Sequence, residues 1–392
     1  VSCFQNAVES APDPIFGLVG AFKNDKNPHK VDLMVGVYRD KNLDCLRLNS
    51  VYKAEKMLLD EVNTKNYLAF EGDHLFLSKT TELLFGHKPE RVVAFQGIGG
   101  TGSLFIGGHF LKELGHDRIY VSDPTWSNHF KIFAACGMQV ETYPYFDVAK
   151  TQKKADEMLD FFKTLKEGSL VLLHTCCHNP SGSDLVQEEW KSVAEIFKAR
   201  KLIAFFDTAY QGFGDGLNED AFAPCLFLKE GLEFLCSQSF SKNFGLYGER
   251  VSTLYVAVDG EAARKKVDSH IRNIIRATYS NPPRHGAEII AKILSDPYLK
   301  QIWMDELSSS CIRLKELRIS LANKLKQAIP THNFDHLITT KGMFAFIGLS
   351  KERVLELREK DGVYMTGNGR INISGLCDKN IDYVVESIKK RI

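Results

Sequence analysis

The stretch SQSFSKNFGLYGERVS, Ser237 to Ser252, sets one lysine, Lys242, among the hydroxyls of Ser237, Ser239 and Ser241, with Arg250 eight residues on. It continues the apolar run FLC, so the lysine falls on a loop at the end of a buried strand. Partial burial would lower the pKa of such a lysine and offer its neutral amine to an aldehyde. The hydroxyls and the cation beside it suit a phosphate. The plainer alternative is a solvated lysine on a polar loop that caps the strand.

Two upstream runs fit the first reading. DTAYQGF (Asp207 to Phe213) supplies an acid and a phenol, and GGTGS (Gly99 to Ser103) a flexible backbone turn. Glycines allow backbone donors to approach a ligand closely, and a helix opening after them offers unpaired amides to a phosphate. The same run also reads as a tight strand-to-helix turn. Asp207 closes the strand KLIAFF, where parallel-sheet enzymes put their sites. A buried carboxylate there can keep a pyridine nitrogen protonated, and Tyr210 can donate to a phenolate oxygen; a strand cap and a core tyrosine are the alternative. Together these runs point to pyridoxal phosphate (PLP), a cofactor that carries the hard chemistry while the protein orients it.

Weaker candidates surround them. Asn179, in HNPSG, is either a second donor to that oxygen or a turn-forming residue. Trp126, in DPTW, is either a platform for the ring or a core residue. Arg276 and Arg370 can each clamp a carboxylate through two bonds, or form surface salt bridges. GxxxxGK[ST] is not met; Gly97, Gly99 and Gly102 do stand at GxGxxG spacing, a weak signal alone, and the run is read as a phosphate turn rather than as the mark of a nicotinamide dehydrogenase. HExxH, Cys-x-x-Cys, EF-hand and GxSxG patterns are missing, so no metal is called.

The 392 residues are 44% hydrophobic and 25% charged, enough to fill a large core. Fifty basic and 49 acidic side chains leave a net charge of +1 and no long basic block, so neither nucleic acid nor an anionic membrane is the expected partner. The start, VSCFQNAVESAPDPIFG, lacks a basic end before an apolar run, which argues against a secretory signal, and no apolar run reaches bilayer-spanning length. Nine scattered cysteines suit a reducing compartment, and the expected location is the cytoplasm. The adjacent pair Cys176-Cys177 lacks metal-site spacing and reads as packing near a strand end.

Along the chain, strands are expected at 31–39, 92–97, at the start of 117–126 before a turn, and at 169–176, 201–210 and 234–242, with helices at 51–62, from Ser103 and over 184–200. Gly107 and Gly108 weaken the second of these helices. The alternation of apolar strands and helices predicts a mostly parallel α/β sheet. One long helix, Trp303 to Ala328, should link a second, smaller α+β unit built from GMFAFIGL, a short helix, GRINISGL and a final helix. The first 45 or so residues are expected to fold back onto it. The division is thus 1–45 as an arm and part of the small domain, 46–309 as the large domain and 310–392 as the small domain.

These motifs, with DPTWSNH and YSNPPRHGA, stand in the order found in the aspartate aminotransferases, class I aminotransferases of PLP fold type I. The chain resembles that family from about Pro12 to its C-terminus. The resemblance implies a large domain with a mostly parallel seven-stranded sheet, a smaller α+β domain, and a homodimer whose active sites are shared. It implies a ping-pong exchange of the amino group between L-aspartate and 2-oxoglutarate, giving oxaloacetate and L-glutamate. Lys242 resembles the lysine that binds the cofactor and moves the proton, and Asp207 the partner of the ring nitrogen. Tyr210 and Asn179 resemble donors to the phenolate oxygen, and Trp126 the stacking residue that also touches substrate. Gly99, Gly100, Thr101, Ser239 and Arg250 resemble the phosphate site, completed by Tyr67 from the other subunit. His129 and His174 resemble supports behind Asp207. For substrate, Arg370 resembles the clamp on the α-carboxylate and Arg276 the partner-subunit clamp on the distal one. Val35 and Gly36 match a segment that closes over substrate, and Phe344 an aromatic wall of the arginine pocket.

The chain departs from the family's usual GTGALR, reading GTGSLF, so Ser103 and Phe105 are unusual; Gly99 stands where many members have serine. The stretch from Gly86 to Gly99 is also shorter than in many relatives. Other readings on the same fold are an aromatic or broad-range aminotransferase, or a homologue that has lost catalysis and acts by interaction. Intact Lys242, Asp207, Tyr210 and Arg370 argue against the last.

Overall fold

The computed structural model describes residues 2–9, 14–45, 47–62 and 64–392. Pro12, where the resemblance begins, lies outside them. Seven strands form one sheet, in the order Val92–Ile98, Val251–Ala257, Phe234–Ser239, Ile203–Thr208, Leu170–His174, Arg118–Asp123 and Gln139–Pro144. All neighbours run parallel except Val251–Ala257, which is antiparallel to both strands beside it. The sheet is apolar on both faces because helices cover both. Phe205 and Phe206 show the period of two: Phe205 packs with Phe133, Leu104 and Leu235 on one face, Phe206 with Trp190, Phe197 and Phe227 on the other.

The glycine run is not a loop. The helix Gly99–Glu113 begins within it, so the backbone passes from strand to helix at Gly99, which takes φ +65°. Gly107 and Gly108, weak helix formers, are the price of close packing. A Cβ on Gly107 would lie 2.5 Å from the Phe205 ring, and one on Gly108 3.0 Å from Phe133 and Cys136.

The expected long helix is present and longer, Pro297–Ala328. Asp296 caps it, accepting from Tyr298 N (2.9 Å) and Leu299 N (3.1 Å), and Pro297 takes the first turn, where its missing N–H costs nothing. The boundary expected at 309/310 falls inside this helix. Beyond it lie the strand Phe344–Phe346, the helix Lys351–Asp361, the strands Val363–Tyr364 and Arg370–Asn372, and the helix Ile381–Lys389.

The N-terminal segment joins this smaller unit, but its strand is only Val31–Asp32, paired in parallel with Val363–Tyr364. Leu33 still pairs through its backbone, with Tyr364 O (2.8 Å) and Asn372 N (2.8 Å), and from Met34 on side chains replace the ladder. Arg370 Nη2 donates to Met34 O (2.7 Å), and Asn372 Nδ2 donates to Val35 O (2.6 Å) and Val37 O (2.8 Å). Among the described residues, no helix is long and apolar enough to cross a membrane.

Candidate active site

The parallel strands end along one edge of the sheet and deliver their loops there. Asp123 leads to Thr125 and Trp126, His174 to Asn179, Thr208 to Tyr210, and Ser239 to Lys242. The antiparallel strand begins where its neighbours end, so Arg250, just before it, reaches the same edge. These loops enclose a cavity of about 270 Å³. Gly36, Gly100, Thr101, Trp126, Asn179, Asp207, Tyr210, Ser239, Lys242, Arg250 and Arg370 all line it, with Phe344 and His174.

Four predicted cofactor or substrate residues stand apart from that lining: Val35, whose carbonyl Asn372 takes, and the three that follow. Gly99 abuts Arg250 instead: a Cβ there would meet the guanidinium at 2.3 Å. Tyr67 is 83% exposed. Arg276 is exposed, its guanidinium 5.4 Å over the Phe70 ring and hydrogen-bonded to Ser280 Oγ. The segment bearing Tyr67 and Phe70 is tied to the loop after Arg276, through Asn281 Nδ2 to Leu68 O (2.6 Å) and Arg284 Nε to Asn66 O (3.1 Å). Tyr67, Phe70 and Arg276 therefore share one outward face.

Lys242 is partly buried, and its removal from water pushes its pKa down to about 8; the charges of Arg250 and Arg370 act the same way, against Asp207. Its Nζ sits 5.4 Å from the Tyr210 ring centre. Burial by itself would raise the Asp207 pKa. The hydrogen bond from His129 and the charges around it leave the carboxylate below its ordinary range.

That hydrogen bond ends a chain of one direction. The Asn179 backbone N–H donates to His174 Nδ1 (3.4 Å), so the neutral His174 carries its proton on Nε2, which faces Thr125 Oγ1 (3.1 Å). Burial holds His174 neutral, its pKa pushed down to about 3. The Thr125 hydroxyl, accepting from His174, gives its own proton to His129 Nδ1 (2.8 Å). His129 Nε2–H is then left for Asp207 Oδ2 (2.8 Å). Thr125 is the link that sequence reading missed; its place in DPTW, directly before Trp126, was the available signal.

Arg370 is buried, with Nη1 on Asn179 Oδ1 (3.2 Å), Nη2 on Met34 O and the guanidinium 4.0 Å above the Phe344 ring. Burial lowers its pKa to about 10, so it stays charged at neutral pH. Among the described residues its buried Nε–H finds no acceptor. A charged donor buried with a bond unmade fits an arriving carboxylate. Opposite, Thr101, Ser239, Ser241, Arg250 and the first turn of the helix Gly99–Glu113 converge on the same cavity, a donor set suited to a phosphate. Lys242 for an aldehyde, Asp207 for a ring nitrogen and this donor set together fit PLP.

The unusual residues of the glycine run have local partners. Ser103 is fully buried and bonds Ser252 Oγ (2.7 Å), which donates on to Gly99 O (2.7 Å), so Ser103 faces away from the phosphate donors. Phe105 lines an apolar groove outside the cavity with Ile98, Ile106, Ile132 and Tyr279.

The profile of the family "Aminotransferase class I and II" matches residues 28–388. The chain belongs to this family. The aromatic-amino-acid aminotransferase of Escherichia coli strain K12 is 40% identical over 391 residues, covering 98% of each chain. The aspartate aminotransferase of the same strain is 39% identical over 392 residues, covering 98% of this chain and 99% of its own. A crystal structure of the aromatic-amino-acid aminotransferase from Burkholderia pseudomallei, covalently bound to pyridoxal phosphate, superimposes with a TM-score of 0.97 at 38% identity, covering all of both chains. This aminotransferase is thus a PLP-dependent transaminase of fold type I, with the large mixed sheet and smaller α+β unit expected from its sequence.

Proposed function

We propose that this aminotransferase exchanges the amino group between L-aspartate and 2-oxoglutarate, yielding oxaloacetate and L-glutamate in two half-reactions. PLP, when bound, supplies the electron sink that stabilises negative charge at the substrate's α-carbon. Lys242 holds the cofactor, and its Nζ takes the proton from that carbon. Asp207, fixed by His129, holds positive charge on the ring nitrogen. Tyr210 and Asn179 donate to the phenolate oxygen, and Trp126 covers one face of the ring. Gly100, Thr101, Ser239 and Arg250 grip the phosphate.

The observation that carries the reading is the buried Nε–H of Arg370, without an acceptor among the described residues, on a side chain that lines the same cavity as Lys242 and Asp207. It recognises the α-carboxylate. The distal carboxylate falls to Arg276. Its outward face, shared with Tyr67 and Phe70, supports a homodimer in which each copy completes the other's site.

A second reading, a broad-range enzyme that also takes aromatic amino acids, is favoured by one observation. The relatives named for aromatic and for aspartate substrates match at nearly the same identity. The test is kcat/KM for aspartate and phenylalanine in wild type and Arg276→Ala. Loss confined to aspartate, roughly 10²-fold for a desolvated carboxylate left unpaired, supports the dicarboxylate role. Equal losses overturn it.

A further inference from the structure

The turn that carries Asn179 opens on Cys176-Cys177, and the fold adds a third group that sequence spacing could not show. In an extended chain adjacent side chains point to opposite faces. Here Cys177 takes φ 50°, and the two Sγ atoms and one carboxylate oxygen of Asp220 all lie within 4.8 Å of one another. All three residues are buried.

Asp220 is held firmly. Its Oδ2 accepts from Gly212 N (2.8 Å) and Gly214 N (2.9 Å), and its Oδ1 from Asp215 N (2.8 Å). Oδ1, with one donor, keeps a lone pair. Cys176 lines the cofactor cavity, which gives an ion a way in, whereas Cys177 does not line it. Cys177 packs against Gly342 instead, where an added Cβ would lie 2.6 Å from its own. A third buried thiol, Cys311, is engaged elsewhere, donating to Phe213 O (3.4 Å) and Gly214 O (3.3 Å).

We propose that Cys176, Cys177 and Asp220 form a binding site for a thiophilic divalent cation such as Zn²⁺ or Cd²⁺, and that filling it inhibits the enzyme. Two sulfurs and one carboxylate oxygen are three ligands of a tetrahedral set, with the fourth position left for water from the cavity. A metal–sulfur distance of about 2.3 Å needs the sulfurs about 3.8 Å apart, a small adjustment from the present cluster. Binding turns two thiols into thiolates and releases two protons to solvent, with no change of oxidation state. Without a metal the pair stays protonated. The bond between the thiols and burial hold Cys176 well above the thiol range, and burial pushes Cys177 up to about 12 although that bond favours its thiolate. Inhibition follows because the same turn carries Asn179, whose Oδ1 accepts from Arg370. Drawing the sulfurs onto an ion re-aims both.

The test is titration of the PLP-loaded enzyme with Cd²⁺. Wild type should take up one ion per chain with a near-ultraviolet sulfur-to-cadmium band, release two protons and lose activity that a chelator restores. Cys177→Ala should be as active as wild type without Cd²⁺, lack the band and need about 100-fold or more Cd²⁺ for inhibition. Cys311→Ala should behave as wild type. Inhibition of wild type without the band, no uptake at all, or Cd²⁺ affinity unchanged in Cys177→Ala overturns the proposal. So does loss of the band in Cys311→Ala alone.

Discussion

Lys242 shows what burial does to a single amine. At pH 7, a pKa of about 8 leaves about a tenth of it neutral, against about one in 3,000 for a lysine at 10.5. Capture of PLP by the cofactor-free protein, trapped with borohydride and mapped by mass spectrometry, should speed up as pH rises through about 8 and level off above it. A midpoint near 10 would refute the lowered pKa. The same shift costs stability, with a definite sign. The unfolded chain binds the Lys242 proton more tightly, so the penalty is full below about pH 8 and vanishes as pH rises to 10.5. Cofactor-free Lys242→Met should therefore be more stable than wild type by about 3 kcal/mol at pH 7, the gap closing in alkaline urea melts. Thr125 offers a second test. Thr125→Val removes the hydroxyl that relays donation from His174 to His129, leaving both rings short of a partner at about 1–3 kcal/mol. A fall in kcat of roughly 10-fold or more is expected, with Thr125→Ser close to wild type. Equal rates in Thr125→Val would show that Asp207 does not depend on the relay.

At the scale of elements, the long helix Pro297–Ala328 holds two distant pieces. Near its start, Trp303 Nε1 donates to Asn243 O (2.7 Å) and its ring stacks on Phe244 at 4.3 Å, gripping the loop of Lys242. Fifteen residues later, the buried guanidinium of Arg318 donates to Thr340 Oγ1 (2.7 Å) and to the carbonyls of Lys341, Gly342 and Phe344. Phe344 is the ring beneath Arg370. Arg318→Met leaves those acceptors unpaired, so it should lower stability by about 3 kcal/mol or more and raise KM for every amino acid alike, as denaturation and steady-state kinetics would show. An unchanged KM would separate Arg318 from the clamp. This helix was legible in the sequence because its apolar positions recur over many turns. The strand Val251–Ala257 was not: its first residues belong to the hydroxyl-rich run, and composition carries no mark of strand direction. The expected strand at 31–39 shrank to two residues because Arg370 and Asn372, more than 330 positions away, take its carbonyls. The pocket lining was largely readable as motifs, each anchored at a strand end. Thr125 and the pairing of Asp220 with two cysteines were not, since they depend on which loops the sheet order brings together.

Across the whole molecule, the placement of Arg276 and Tyr67 outside their own chain's cavity leads to a test of assembly. Mixed chains of Lys242→Ala and Arg276→Ala, each strongly impaired alone toward aspartate, should recover activity. A heterodimer carries both defects in one site and neither in the other, so random pairing would restore about a quarter of the sites. Heterodimers that form yet stay inactive would mean that sites are not shared. Within one subunit, the long helix acts as a lever. Trp303, wedged against the lysine loop, is its fulcrum, and Arg318 rides about 22 Å along the arm. A tilt of about 5° at the fulcrum swings that point by about 2 Å, enough to part a guanidinium from carbonyls at hydrogen-bond range. The ring under Arg370 and the loop of Lys242 are thereby geared to one rigid rod, so neither can drift without turning the other.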